Sequence, residues 1–277
     1  MNFPVLEMFA SVQGEGMHTG VPSIFIRVGG CNLRCVFGNS RCDTPYSSFE
    51  LETPQWTNVD DLVEEFKSLS KSCPNIKHVV ITGGEPMLYK EQIKHLITKL
   101  ENEVGDFLYT IETNGTLSSL DYWEDDDFIY YIDTWSISPK LSTSVDKDCK
   151  FLNEKQRDLH DKTRINIDNL ASYITCCQET KIALKEECGL YDFVDYQLKF
   201  VYSGEDSVNE ILDIIKQIEE KYPTIKDINN HIMLMPEGTT NDQLENIQLH
   251  CVEACMKYGW KFCDRLHIRL WGDKRGV

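Results

Sequence analysis

The chain has 277 residues, 41% of them hydrophobic, enough for one α/β barrel-like domain or two smaller ones. Its net charge of −17 comes without a basic stripe, which argues against nucleic acid or an anionic membrane as the main partner. No apolar run approaches the ~20 residues that span a bilayer, and MNFPVLEMFASVQGEG has no basic segment leading into an apolar core, so a cytoplasmic location is expected.

SIFIRV (23–28) is β-rich and leads into a cysteine-bearing loop. Residues 58–69 predict a helix, with Val59, Leu62, Val63 and Phe66 on one face. HVVIT (78–82) reads as a buried strand stopping at Gly83-Gly84, and 89–104 as a helix with Ile93, Leu96, Ile97 and Leu100 on one face. FLYTIET (107–113) predicts a strand ending at Asn114-Gly115, and 128–138 supplies strand material ending at Pro139. The charged segment 141–195 carries four of the eleven cysteines and no clean strand, and is expected to be a helical insertion. Strands at 197–202 and 231–236 alternate with helices at 207–222 and 241–258; Val208, Ile211, Leu212, Ile215 and Ile218 of the first helix are expected inward. Residues 261–272 are expected to close the chain as a strand. The pattern of about six strand–helix units predicts an α/β fold, an open or partial (β/α) barrel in a single domain 1–277. Ligands of such folds bind at the carboxyl ends of the strands.

The chemistry-bearing residues fall at those ends. Cys31-x3-Cys35-x6-Cys42 places three soft thiolate ligands on one loop. Zinc or buried free thiols are the competing readings, but zinc usually takes a fourth Cys or His nearby, and the loop offers none. An odd number of cysteines without a secretion signal favours reduced thiols over disulfides. Three thiolates suit a 4Fe–4S cubane with one open iron. Gly83-Gly84-Glu85-Pro86 then offers backbone and a carboxylate for the amine of a small ligand on that iron, a pairing that points to radical chemistry started by S-adenosylmethionine (SAM). Glu112-Thr113-Asn114-Gly115 and Ser138-Pro139-Lys140 are polar clusters after successive strands, although turns use the same residues. Gln13-Gly14-Glu15-Gly16 precedes the strand carrying Arg27, which either takes a ligand carboxylate or pairs with Glu15 or Glu7. Thr44 reads as a turn cap or as an oxygen ligand to Mg²⁺. Cys251, Cys255 and Cys263 have ligand-like spacing, but helical periodicity favours core packing; Cys73 and Cys149 have no partner at ligand spacing.

PVLEMFASVQGEG, FIRVGGCNLRC, CDT, ITGGEP, IETNGT, SISPK, LKFV and RLHIRLWGDKRGV together resemble the 7-carboxy-7-deazaguanine synthase family, radical SAM enzymes of queuosine and other 7-deazapurine biosynthesis. The resemblance implies a modified partial barrel, typically a homodimer served by a flavodoxin-like electron donor. It implies Cys31, Cys35 and Cys42 as ligands of the cluster, and Gly84, Glu85, Glu112, Asn114, Ser138, Pro139 and Lys140 around SAM. Val12, Gln13, Gly14, Glu15, Arg27, Thr82 and Val277 would hold 6-carboxy-5,6,7,8-tetrahydropterin, and Thr44 would bind Mg²⁺, against the turn-cap reading. The family's reaction removes hydrogen from carbon 6 of the pterin, contracts the ring and expels ammonia, with SAM regenerated.

Two features depart from the pattern. The superfamily's usual spacing is Cys-x3-Cys-x2-Cys, whereas six residues separate Cys35 from Cys42 and position 38 is glycine. Segment 141–195 is also longer than in a typical member. A glycyl-radical-enzyme activase shares the cysteine loop but does not need Gln13-Gly14-Glu15, Arg27 or the LWGDKRGV ending; a non-catalytic metal-binding relative is the other alternative.

Overall fold

A computed structural model describes residues 1–38, 40–48, 55–118, 132–145, 148, 150–188 and 194–277, without the side chains of 55 and 183–188. Cys149, the Cys188 side chain and the 128–131 part of a predicted strand lie outside the described residues. In chain order the elements are β1 (Asn2–Val12), β2 (Pro22–Val28), β3 (Val36–Phe37), β4 (Ser40–Arg41), β5 (Gln55–Asn58), α1 (Val59–Ser72), β6 (His78–Gly83), α2 (Lys90–Glu103), β7 (Leu108–Thr113) and β8 (Thr134–Ile137). Then come α3 (Glu154–Thr163), α4 (Ile167–Cys188), β9 (Asp195–Tyr202), α5 (Glu205–Lys221), β10 (Ile232–Pro236), α6 (Asn241–Tyr258), β11 (Lys261–Phe262) and α7 (Leu266–Trp271).

One sheet runs in the order β11-β10-β9-β8-β7-β6-β2-β1-β5. From β2 to β11 every neighbour is parallel, and β1 and β5 extend the β2 edge with antiparallel pairing. The terminal strands β11 and β5 are not paired to each other, so the barrel is partial, as expected.

The two-residue period of each strand sorts its side chains. Ile24, Ile26, Val79, Ile81, Tyr109, Ile111, Trp135, Ile137, Leu198, Phe200, Ile232 and Leu234 face the helices and form the main core with the apolar stripes of α1, α2, α4, α5 and α6. The alternate residues, including Arg27, Thr82, Glu112, Ser136 and Lys199, face the other side. Helix ends are specified locally. The Asn58 side chain accepts the Asp60 N–H at 3.0 Å ahead of α1. Thr240 and Gln243 form a capping box on α6, which ends at Gly259 with φ +72°.

Three expectations change. Residues 261–272 are not one strand: Arg265 turns inward, and Ile268 is buried while Leu270 and Trp271 are exposed on α7. The alternation of Leu266, Ile268 and Leu270 had mimicked a strand. On α5, Leu212 is 38% exposed and Ile214 takes the buried place expected for it. Cys251 and Cys255 do pack in the core, but Cys263 sits apart with Met233 and Met235 and accepts the Gly16 N–H at 2.9 Å.

The link between β1 and β2 runs down the inner face of the sheet. Gln13 Nε2 donates to Glu112 Oε1 at 3.1 Å, Met17 N donates to Gln197 Oε1 at 2.7 Å, and His18 Nε2 meets Thr134 Oγ1 at 2.9 Å. This link therefore lines the space that the sheet curves around.

Candidate active site

The strand carboxyl ends open on a cleft of about 1060 Å³. Its wall includes Cys31, Cys35, Cys42, Thr44, Val12, Gln13, Gly14, Glu15, Arg27, Thr82, Gly84, Glu112, Asn114, Ser138, Lys140 and Val277. Of the predicted site residues, Glu85 and Pro139 alone lie behind that wall.

Glu85 is fully buried, and its carboxylate is used internally. Oε1 accepts from Thr113 Oγ1 at 2.7 Å and from Met87 N at 3.0 Å, and Oε2 accepts from Asn114 N at 2.8 Å. Its side chain thus ties β6 to the end of β7 rather than meeting a ligand's amine. Burial pushes its carboxyl up, and the three donors pull it back only in part. Gly84 is required by close approach: a Cβ there would lie 1.9 Å from the Gly30 carbonyl oxygen, in the cysteine loop. Glu85 N donates to that same oxygen at 2.8 Å.

The groups expected around two separate ligands touch one another. Glu112 accepts from Thr82 Oγ1 at 2.7 Å as well as from Gln13, so it stands with the predicted pterin residues. Lys140 Nζ donates to Ser138 Oγ at 2.9 Å. Asn114 Nδ2 donates to Asn32 Oδ1 at 2.9 Å, holding the cysteine loop against the end of β7. Arg27 Nε pairs with Glu7 at 2.6 Å, and Glu7 also receives Arg275 Nε at 2.8 Å, which draws the C-terminal segment over the cleft. Thr44 precedes a one-turn 3₁₀ segment, but its hydroxyl makes no capping bond and lies 3.5 Å from Cys42 Sγ.

An ion cluster crosses the floor, with Lys199 and Arg265 buried and Asp43 at its exposed end. Glu15 pairs with Lys199 and with Arg265 Nε at 2.9 Å. Arg265 also reaches Asp43 Oδ2 and the Gly238 carbonyl oxygen, each at 2.5 Å. Burial alone would raise the Glu15 carboxyl, but the charges of Lys199, Arg265 and His267 hold it well below the usual range. Asp43 is lowered in the same way, Arg265 outweighing burial.

The three thiols share one wall. Burial pushes Cys31 up to about 11, raises Cys35 further, and raises Cys42 with help from Asp43. Among the described residues no three His, Cys, Asp or Glu side chains converge on one point for a single ion. The donor set fits a cluster, whose thiolates each bind a separate iron; iron binding would release the protons that burial retains.

A sequence profile of the Radical SAM superfamily matches residues 25–140. The 7-carboxy-7-deazaguanine synthase of Halobacterium salinarum is 34% identical over 273 residues, covering 98% of this chain and 91% of that one. The chain belongs to the 7-carboxy-7-deazaguanine synthase family. The enzyme of that name from Rhodopirellula baltica is also 34% identical, over 99% of this chain and 88% of its own. The crystal structure of QueE from Escherichia coli shares the fold, with a TM-score of 0.56 at 23% identity, covering 96% of this chain and 95% of that one.

For this member of the 7-carboxy-7-deazaguanine synthase family, sequence reasoning left out Lys199, Arg265, Asp43 and His267. Lys199 had a signal: with Gln197 it occupies the face of β9 opposite Leu198 and Phe200, so a charge had to enter the interior. Arg265 had none, because it lies in the short link between β11 and α7 and its partners come from three other loops.

Proposed function

We propose that the chain is a 7-carboxy-7-deazaguanine synthase, a radical SAM lyase that turns 6-carboxy-5,6,7,8-tetrahydropterin into 7-carboxy-7-deazaguanine by hydrogen abstraction, ring contraction and loss of ammonia, in queuosine-type 7-deazapurine biosynthesis. The observation that carries this reading is that three thiols and the polar groups for two small ligands line one cleft at the strand ends.

Cys31, Cys35 and Cys42, which line the cleft, would hold a 4Fe–4S cluster. Gly84, Asn114, Ser138 and Lys140 would cradle SAM through backbone, short polar side chains and the Lys140 ammonium, while Glu85 and Pro139 shape that cradle from behind. When bound, cluster and SAM supply the one-electron chemistry that starts hydrogen abstraction. Gln13, Glu15, Arg27, Thr82 and Glu112 orient the pterin, with Val12, Gly14 and Val277 closing its edges. The cationic wall residues Arg27, Arg41, Lys140, Lys199, Arg265, Lys274 and Arg275 outnumber the acidic Glu15, Asp43, Glu112, Glu237 and Asp273. An anionic pterin carboxylate is thereby drawn into a chain of net charge −17.

Thr44 would supply oxygen to Mg²⁺; its hydroxyl makes no capping bond and stands beside Cys42. The family resemblance supports a homodimer, a flavodoxin-like electron donor and a cytoplasmic location. Among the described residues no helix is long and apolar enough to cross a membrane.

The test is anaerobic reconstitution with iron and sulfide, then incubation with SAM, Mg²⁺, reductant and the carboxypterin, with mass spectrometry for 7-carboxy-7-deazaguanine. Product establishes reaction and substrate together. 5′-Deoxyadenosine without that product would keep the radical SAM core and overturn the substrate. An Arg27→Ala variant with full activity on the carboxypterin would remove Arg27 from the substrate site.

A further inference from the structure

The two departures from the family's sequence pattern meet in space. Between Cys35 and Cys42, β3 and β4 pair as an antiparallel hairpin, with Cys42 N donating to Cys35 O at 3.0 Å. Strands of two residues are too short to hold themselves together. The start of the insertion supplies what the hairpin lacks. Val36 bridges to Val145, and Val36 with Leu152 makes a buried apolar pair separate from the main core. The Arg41 guanidinium lies 4.5 Å from the centre of the Phe151 ring.

A further contact comes from His160 on α3, which is 3% exposed. Its Nδ1 accepts the backbone N–H of Arg34 at 3.1 Å, between Cys31 and Cys35. Its Nε2 meets Ser144 Oγ at 3.1 Å, and Ser144 donates to the Leu141 carbonyl at 2.7 Å. An amide N–H can only donate, and the serine hydrogen is already used. The ring therefore carries its hydrogen on Nε2 and offers a bare Nδ1 to the cysteine loop. The far side is anchored as well. Glu210 of α5 accepts from Ser142 N at 2.8 Å, Ser142 Oγ at 2.7 Å and Arg164 at 2.5 Å.

We propose that residues 141–145 and 151–164 are a brace for the elongated cysteine loop, with His160 as the positioning residue that holds it through the Arg34 amide. The longer loop has more conformational freedom to lose on ordering, and the brace removes that freedom before iron arrives. The proposal rests on reading Cys31, Cys35 and Cys42 as cluster ligands, and its test separates the two.

The full chain is compared as wild type, His160→Leu, His160→Asn and Phe151→Ala, with Leu159→Ala as a control at a 62% exposed position on the same helix. In reduced, metal-free protein, alkylation of Cys35 and Cys42 is followed by mass spectrometry. In reconstituted protein, iron loss to a chelator is followed by absorbance. His160→Leu strands a buried N–H, and both processes should quicken about ten-fold. His160→Asn keeps an acceptor near the Nδ1 position and should restore much of the protection; Leu159→Ala should match wild type. If His160→Leu does not fold, Phe151→Ala carries the test, with faster labelling of Cys42. Equal rates in wild type, His160→Leu and Phe151→Ala would overturn the brace, and so would an Asn variant as loose as the Leu variant. Labelling in the expected order from a wild type that binds no iron would support the brace and overturn the ligand assignment.

Discussion

Glu85 accepts three hydrogen bonds from inside a fully buried position, so its charge serves the scaffold. Glu85→Gln replaces one acceptor oxygen with an amide that can only donate, facing donors. The variant is expected to lose on the order of 1–3 kcal/mol of stability, seen as a lower melting temperature by calorimetry. An unchanged melting temperature with weakened SAM binding would instead return Glu85 to the ligand. Arg265 works differently, joining Glu15 in the predicted substrate loop to Asp43, next to Cys42. Arg265→Lys keeps the charge but loses the fork that reaches both carboxylates and the Gly238 carbonyl. We expect kcat/KM for the pterin to fall about ten-fold or more, since charge-assisted hydrogen bonds at roughly 1.5–3 kcal/mol are lost. Steady-state kinetics showing wild-type values would remove Arg265 from the substrate side of the site.

Between elements, the tightest constraint is where β6 ends against the cysteine loop. A Cβ at position 84 would sit 1.9 Å from Gly30 O and 2.7 Å from Ser47 O, both backbone atoms that cannot swing aside. Gly84→Ala must push the cysteine loop outward, so the variant is expected to retain its helical circular dichroism yet bind little iron after reconstitution. Full iron content would show that the loop gives way without harm. The sequence made this end of β6 legible because an apolar run stopping at two glycines has few other meanings in an alternating α/β chain. Helices α1 and α2 were equally legible from their 3.6-residue apolar stripes. The ion cluster was not. Lys199 and Arg265 lie 184 and 250 residues from Glu15, and no local period links them. Strand β1 escaped notice because residues 6–12 are all half-buried, without the alternation of a two-faced strand. The brace on the cysteine loop was hidden for a similar reason: His160 and Arg34 are 126 residues apart, and their contact runs through a main-chain amide.

Across the whole molecule, the two ends of the strands carry opposite chemistry. The carboxyl ends gather cations around the cleft, while the amino ends hold neutral histidines. His78 Nδ1 meets Ser23 Oγ at 2.7 Å and its Nε2 meets Thr110 Oγ1 at 2.8 Å, with the His18 ring 5.0 Å away. Burial, and then the neighbouring His18 imidazole, lowers His78 to about 4 from an ordinary 6.5. Between those values the unfolded chain binds a proton that the folded chain refuses, so stability falls as pH drops from 6.5 towards 4. The full effect is about 3 kcal/mol. Asp133 acts in the opposite sense, because burial raises it to about 6 and the folded chain takes its proton first; this offsets part of the loss between pH 6 and 3.8. The comparison that isolates His78 is therefore between wild type and His78→Gln, as metal-free chains denatured in urea at intervals from pH 7 to 4.5. The wild type should lose more stability across that range, by up to one proton's slope at its steepest. Parallel curves would mean that the histidine takes up its proton in the folded barrel at the same pH as in the unfolded chain, and the neutral amino end beneath the β1–β2 link would have to be abandoned.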